Sequence, residues 1–205
     1  MSAKQIPDIL RPGLWRPDVV VGELCRTDPE WLVAQFPDSE AFLYDVDGTG
    51  LDYNDEHYSS EMLDFFLAIS RHRQQAHLSN AGAKRTPRVA RLSQEVGNYI
   101  GREFPFITSD MTGSGKPSKA AFDAAIERFG FDPTNTVHVG DLAWKDILGA
   151  KRAGLGGTVL AAHYGNGDDW RVKYLERPIQ EAVLLPLLGI RRPEPQNRLS
   201  PVFDC

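Results

Sequence analysis

The sequence predicts an α/β protein, a three-layer Rossmann-like sandwich with helices on both faces of a parallel sheet. Three observations lead there. Short apolar runs of strand length alternate with amphipathic segments of helical length through the middle of the chain, which is the pattern of βαβ units. Right-handed crossovers between such units make it a Rossmann-like sandwich. Polar residues also cluster directly after several of the apolar runs, where a parallel sheet binds its ligands.

The elements follow in order. Residues 1–20 hold Pro7, Pro12 and Pro17 with little periodicity, and read as an extended arm. Asp28-Pro29-Glu30 caps a short helix through about Gln35, with proline in its first turn. Residues 41–46 form a first strand that ends in Asp47-Gly48-Thr49-Gly50, which is loop chemistry. Residues 58–72 are helical, with Met62, Phe65, Phe66 and Ile69 on one face. A second strand covers 75–79. Thr86 caps a helix that begins at Pro87 and reaches about Val96. A third strand lies within 104–109, and a strong helix over 117–129 closes on Gly130. A fourth strand (136–139), a helix (144–152) and a fifth strand (158–162) complete the alternation. Beyond it, 178–189 reads as one more helix, and 191–205, with three prolines and many polar residues, as a loosely ordered tail. The organisation is thus an N-terminal arm and short helix over 1–40, one α/β domain over 41–190, and a tail over 191–205.

Composition narrows the function classes. Of 205 residues, 41% are hydrophobic and 25% charged, an ordinary globular balance. The net charge of −5 argues against a general nucleic-acid binder, which needs a basic footprint. It leaves room for a small phosphorylated substrate held by a few local cations. Cys25 and Cys205 lack metal-ligand spacing and read as two free thiols of a reducing compartment. No apolar stretch has the length of a membrane span, and the longest run, 182–190, is interrupted by Pro186. The N-terminus has no uninterrupted apolar core of a signal peptide. The expected location is cytoplasmic.

Four polar clusters fall at the carboxyl ends of predicted strands or the start of a helix: Asp45, Asp47 and Thr49; Ser79 and Asn80; Lys116; and Asp141 with Asp146. Taken singly, each has a plainer reading. Asp47-Gly48 and Ser79-Asn80 are ordinary turn residues, Lys116 a solvated lysine, and Asp141 a helix cap. His77 and His138, on strands near the clusters, read as packed strand residues, and the four tryptophans as packing residues. Lys151 and Arg152 complement a helix dipole.

Jointly, DVDGT at 45–49, LSN at 78–80, GKP at 115–117 and VGDLAWKD at 139–146 resemble the four motifs of the haloacid dehalogenase-like (HAD) hydrolase superfamily, over residues 41–162. The resemblance implies a phosphomonoester hydrolase that uses Mg²⁺ as cofactor, and the chemistry gives each residue type a reason. A carboxylate attacks a phosphate ester only if the phosphoryl charge is neutralised. Magnesium prefers oxygen ligands in octahedral geometry, which Asp45, Asp141 and the Asp47 carbonyl would supply, with Asp146 ligating directly or holding a coordinated water. Asp45 would be the nucleophile, giving an aspartyl-phosphate. Asp47 would protonate the leaving oxygen and later activate water. Lys116 and Ser79, with Asn80, would bind and orient the phosphoryl oxygens. Thr49, grouped with these substrate-side residues, would position the loop that carries Asp47. A dehalogenase has no use for Asp47 as an acid or for a metal-binding Asp141.

The spacing between motifs bears on the substrate. Neither the gap from Asp45 to Ser79 nor that from Ser79 to Lys116 holds a separate lid, since even a small domain needs ~50 residues. A site without a large cap suits a large or surface-held substrate, such as a lipid head group met by peripheral membrane contact. Alternatively, oligomerisation or the N-terminal arm closes it over a soluble sugar phosphate or nucleotide. RPGLWRPDVVVGEL, SNAGAKRTPRV and GDLAWKDILGAKRAG are similar to the capless IIIA subgroup that includes phosphatidylglycerophosphate phosphatases. This chain departs from that subgroup's pattern at Gly48, where an asparagine is usual, and at Gly50, where a large aliphatic is usual. A third hypothesis, from another class, is a catalytically silent scaffold of the same fold.

Overall fold

Alternation along each central strand decides which layer each side chain enters. In the computed structural model, which describes residues 12–53, 55–165, 167 and 171–190, Phe42 and Tyr44 of strand β2 (Ala41–Tyr44) join one core and Leu43 the other. The first core is covered by helices α1 (Pro29–Ala34), α2 (Ser60–Ser70) and α3 (Thr86–Ile100), through Leu32, Met62, Phe66, Val89 and Leu92. The second is covered by α5 (Lys119–Phe129) and α6 (Leu148–Ala153), through Phe122, Ala125 and Ala150. A one-turn α4 (Ser109–Thr112) follows strand β4. Helices on both faces of the sheet make the three layers expected from the sequence.

The sheet has six strands, all parallel, in the order β1-β6-β5-β2-β3-β4. The others are β1 (Val19–Val21), β3 (Gln74–Ser79), β4 (Phe106–Thr108), β5 (Thr136–Gly140) and β6 (Gly157–Ala161). From β2 the chain steps outward through β3 and β4, then returns to the opposite side of β2 for β5 and β6. The order therefore reverses between β2 and β5, and a crevice at the carboxyl ends of these two strands follows.

Four differences from the sequence reading stand out. Val19–Val21 is not part of an arm but an edge strand, in register with Val159–Ala161. Three β-branched residues suffice there because Asp18 fixes their entry: its Oδ2 accepts from the Thr158 amide (2.9 Å) and hydroxyl (2.7 Å), and its Oδ1 pairs with Lys151 at 2.9 Å. Lys151 thus does more than complement a helix end. Thr86 is the first residue of α3 rather than its cap; its hydroxyl meets Thr108 Oγ1 at 3.0 Å. The helix runs past Val96 to Ile100 and stops at Gly101, whose φ of 73° ends it in the left-handed conformation. After β6, a helical run alternating π-type and α-type turns begins at Val172 and ends at Leu187, earlier and longer than 178–189. Leu185 at its far end is buried with Ala143, Ile147 and Leu160. Cys25 is a free, half-buried thiol whose pKa is pushed up by burial. Cys205, residues 1–11 of the expected arm and the expected tail lie outside the described residues. Among the described residues, no helix is long and apolar enough to cross a membrane.

Candidate active site

Strands β5, β2 and β3 are adjacent, so the residues that follow them converge. Asp45 lies one residue beyond β2, and its amide donates to Val139 O of β5 at 2.9 Å. Asp141 lies one residue beyond β5, and Ser79 ends β3. Carboxylate oxygens of Asp45, Asp141 and Asp146 all lie within 4.8 Å of one another. Three hard anionic donors this close fit a small divalent cation. They also repel, and something must hold them together.

Lys116 does so from below. Its side chain is 1% exposed, and its ammonium is 2.7 Å from Asp45 Oδ1 and 2.7 Å from Asp146 Oδ1. Burial would discharge a lysine, but the two carboxylates outweigh it and hold the Lys116 pKa above its usual value. Burial likewise pushes the Asp146 carboxyl up. Lys116 and His138 override it and keep that group well below the carboxylate range. Asp45 ends differently: burial dominates, Lys116 opposes it, Asp146 and Asp141 reinforce it, and its pKa rises to about 7. The Lys116 loop is itself clamped by Asn80, whose Oδ1 accepts from the Lys116 amide (2.7 Å) and whose Nδ2 donates to the Lys116 carbonyl (3.0 Å). Asn80 therefore positions Lys116.

Asp146 is locked on every side. Oδ1 also meets His138 Nε2 at 3.1 Å, and Oδ2 accepts from the Leu142 amide at 3.0 Å. His138, which the sequence offers as a packed strand residue, points from the α5/α6 face of β5 into this group and stands edge-on to Phe122. Gly140 makes the approach feasible: a Cβ there would fall 2.2 Å from Asp146 Cγ. His77, by contrast, is a core residue, bonded to Tyr58 and Ser93 at 2.9 Å each.

The turn after Asp45 serves Asp141. Gly48 has φ +81°, and a Cβ there would sit 2.6 Å from Asp141 Oδ2 and 2.8 Å from His163 Nδ1. Thr49, expected on the substrate side, is buried, and its hydroxyl lies 3.5 Å from Asp141 Oδ1. Its place behind the acidic group follows from the turn, which points it toward β5. Asp47 reaches the opposite side. Its Oδ1 accepts from Arg88 Nη1 at 2.7 Å, and Arg85 is 3.7 Å from its Oδ2. Burial raises the Asp47 pKa, and Arg88 pulls against it.

Sequence reasoning missed four residues. Arg88 is buried on α3 and also donates to the Asp55 and Asp52 carbonyls (2.8 and 3.3 Å), tying down the loop after the first motif. Its only signal was an arginine one turn into a helix that starts beside the second motif. His138 had a signal in its alternation on β5. His163 and Arg177, which meet Asp141 Oδ2 at 3.2 and 2.8 Å, had none, because both follow the last motif. The cleft above these groups has a volume of about 310 Å³, and its lining includes Asp45, Asp47, Ser79, Lys116 and Asp141, with Arg177 of the C-terminal run forming one wall.

Residues 85–154, which carry Lys116, Asp141 and Asp146, match the haloacid dehalogenase-like hydrolase family. The matched stretch is 70 of the 205 residues. No curated protein matches the chain. Among solved structures, an uncharacterized protein from Listeria monocytogenes serotype 4b is 18% identical with a TM-score of 0.45, over 73% of this chain and 98% of that one. A HAD phosphatase from Thermococcus onnurineus is 18% identical (TM-score 0.42; 75% and 99% covered). A HAD-like hydrolase from Bacillus subtilis, described as bound to magnesium, is 16% identical (TM-score 0.46; 60% and 86% covered).

Proposed function

We propose that the protein is a Mg²⁺-dependent phosphomonoester hydrolase that works through an aspartyl-phosphate on Asp45. The observation that carries the reading is the Lys116 ammonium bridging Asp45 and Asp146 with Asp141 beside them. A buried lysine between two carboxylates leaves an anionic nest that still demands cationic charge, and an incoming phosphoryl group also needs it. The donor set fits magnesium, held by Asp45, Asp141 and the Asp47 carbonyl, which would neutralise the phosphoryl oxygens. Asp146, whose oxygens are engaged by Lys116, His138 and Leu142, acts by fixing Lys116.

The chain's own residues then divide the work. Asp45, oriented by its side-chain bond from the Val46 amide (2.8 Å), attacks phosphorus while the ester oxygen departs. Asp47, kept protonatable by burial and steered by Arg88, gives that oxygen its proton and later takes one from the water that cleaves the acyl phosphate. Ser79 and Lys116 hold the transferring oxygens.

The small cleft walled by the protein's own C-terminal run favours a compact soluble phosphomonoester. A lipid-linked head group is a second reading, favoured by an exposed apolar stripe on the same run, Leu175, Ile179, Val183 and Leu187. Hydrolysis of soluble phosphomonoesters and of phosphorylated lipid in vesicles, with and without Mg²⁺, separates the two. Asp45→Asn, an amide too poor to attack, is expected to abolish turnover; substantial residual activity in it, or activity that survives a chelator, would overturn the mechanism.

A further inference from the structure

The C-terminal helical run is anchored to the stretch of chain that follows the metal-side strand. The Gln180 carboxamide spans the turn after β5: Oε1 accepts from the Ala143 amide at 2.6 Å, and Nε2 donates to the Asp141 carbonyl at 2.8 Å. Glu176 pairs with Lys145 at 2.7 Å, and Leu185 closes the contact in the small core with Ala143 and Ile147. Between these anchors, Arg177 extends into the cleft and sets Nη2 2.8 Å from Asp141 Oδ2. The Arg177 side chain is 12% exposed and that of Asp141 1%, so the pair is poorly screened.

We infer that Arg177 is an internal counter-ion for the metal site: its guanidinium neutralises Asp141 in the metal-free protein, competes with the divalent cation for that carboxylate, and turns to the phosphoryl oxygens once the cation has taken its place. The inference rests on the phosphatase reading above. A guanidinium and a magnesium ion cannot both be close partners of one carboxylate oxygen without repelling. A planar fork at the rim of a phosphoryl site has an alternative partner within reach of its own side-chain rotation. Because Gln180 and Glu176 hold the backbone on either side, the exchange needs a change of rotamer and no withdrawal of the run. Arg177 is thereby a cation that none of the four motifs supplies, contributed by a segment that follows them all.

Calorimetric titration of metal-free protein with MgCl₂ tests this, in wild type, Arg177→Gln and Asp141→Asn, followed by titration of the Mg²⁺-loaded proteins with inorganic phosphate. Removing a positive charge beside the site is expected to tighten Mg²⁺ binding on the order of tenfold in Arg177→Gln, and to weaken phosphate binding in the loaded protein by a similar factor. Arg177→Lys, which keeps the charge but loses the fork, should leave Mg²⁺ affinity near wild type; it also serves if the glutamine variant does not fold. A Mg²⁺ affinity in Arg177→Gln that is unchanged or weaker would overturn the inference while leaving the phosphatase reading intact, and so would marked tightening in Arg177→Lys. If wild type and Arg177→Gln are both blind to Mg²⁺, the metal reading fails and the counter-ion role falls with it.

Discussion

Replacing Lys116 by methionine isolates the ammonium that joins the acidic residues. The side chain stays unbranched, one atom shorter, and loses one charge at a point 2.7 Å from two carboxylate oxygens. At an effective dielectric of about 20, each such pair is worth roughly 6 kcal/mol of attraction, and two carboxylates whose oxygens lie within 4.8 Å of one another repel by at least roughly 3 kcal/mol. Desolvation of the ammonium offsets much of the attraction, so the net loss expected for Lys116→Met is the ~3–5 kcal/mol typical of an orphaned buried charge. The loss should depend on pH in a defined sense. Without Lys116, the folded-state pKa values of Asp45 and Asp146 lie above those of the unfolded chain. The folded protein then binds more protons than the unfolded one, and its stability rises as pH falls. Urea unfolding of wild type and variant at about pH 8 and about pH 5 measures both effects, and added Mg²⁺ should recover part of the loss at the higher pH. A loss under ~1 kcal/mol at pH 8, or the same loss at both pH values, would refute the argument that Lys116 is the charge holding the carboxylates together.

Three further outcomes are expected. With the Asp45 pKa at about 7, Mg²⁺ should displace a proton from metal-free protein: affinity should weaken as pH falls below 7, with up to one proton released, read by calorimetry in buffers of different ionisation enthalpy. Gly48→Ala should cost about 1–3 kcal/mol in unfolding experiments for its positive φ and weaken Mg²⁺ binding, because the new Cβ displaces Asp141 and His163; normal metal affinity would place Asp141 outside the metal site. Buried His77, its pKa lowered by burial to about 3, stays neutral in the folded state while the unfolded side chain protonates near 6.5. Stability from this residue is therefore lost as pH falls from about 6.5 toward 3, by up to ~1.4 kcal/mol per pH unit; His77→Gln should flatten that slope in thermal melts, and an unchanged slope would assign it elsewhere.

Much of this was legible in the sequence because the central elements obey local rules. The strand at 41–44 is an apolar run bounded by loop residues, α5 ends on the expected Gly130, and the α2 face of the first core, Met62, Phe65, Phe66 and Ile69, was readable from periodicity. The sheet-end position of Asp45, Ser79 and Asp141 followed from the alternation alone, and that of Lys116 from the helix it precedes. What the sequence hid depends on distant partners. Val19–Val21 is a strand only because Thr158 and Lys151, far along the chain, receive Asp18. Thr49 and Asn80 have the residue types of ligand contacts, yet they meet Asp141 and Lys116, since short polar side chains in crowded turns bond what is nearest. Arg177 lies on a segment whose pattern weakens after β6, and nothing local marks it as reaching Asp141.

The edge strand has a consequence for how the molecule is made. Asp18 and Thr158, which lock β1 to β6, are 140 residues apart in the chain. During synthesis β1 leaves the ribosome before the other strands of the sheet and must wait for the last of them, β6, before it has anything to pair with. Its loop-closure entropy is recovered only at the end. The residues around Asp45 and Ser79 meet much earlier, through the neighbouring β2 and β3. Folding should therefore proceed from the middle of the sheet outward, with β1 docking last. A chain released before residue 157 would carry the whole acidic group but neither His163 nor Arg177, and an N-terminal strand with no neighbour.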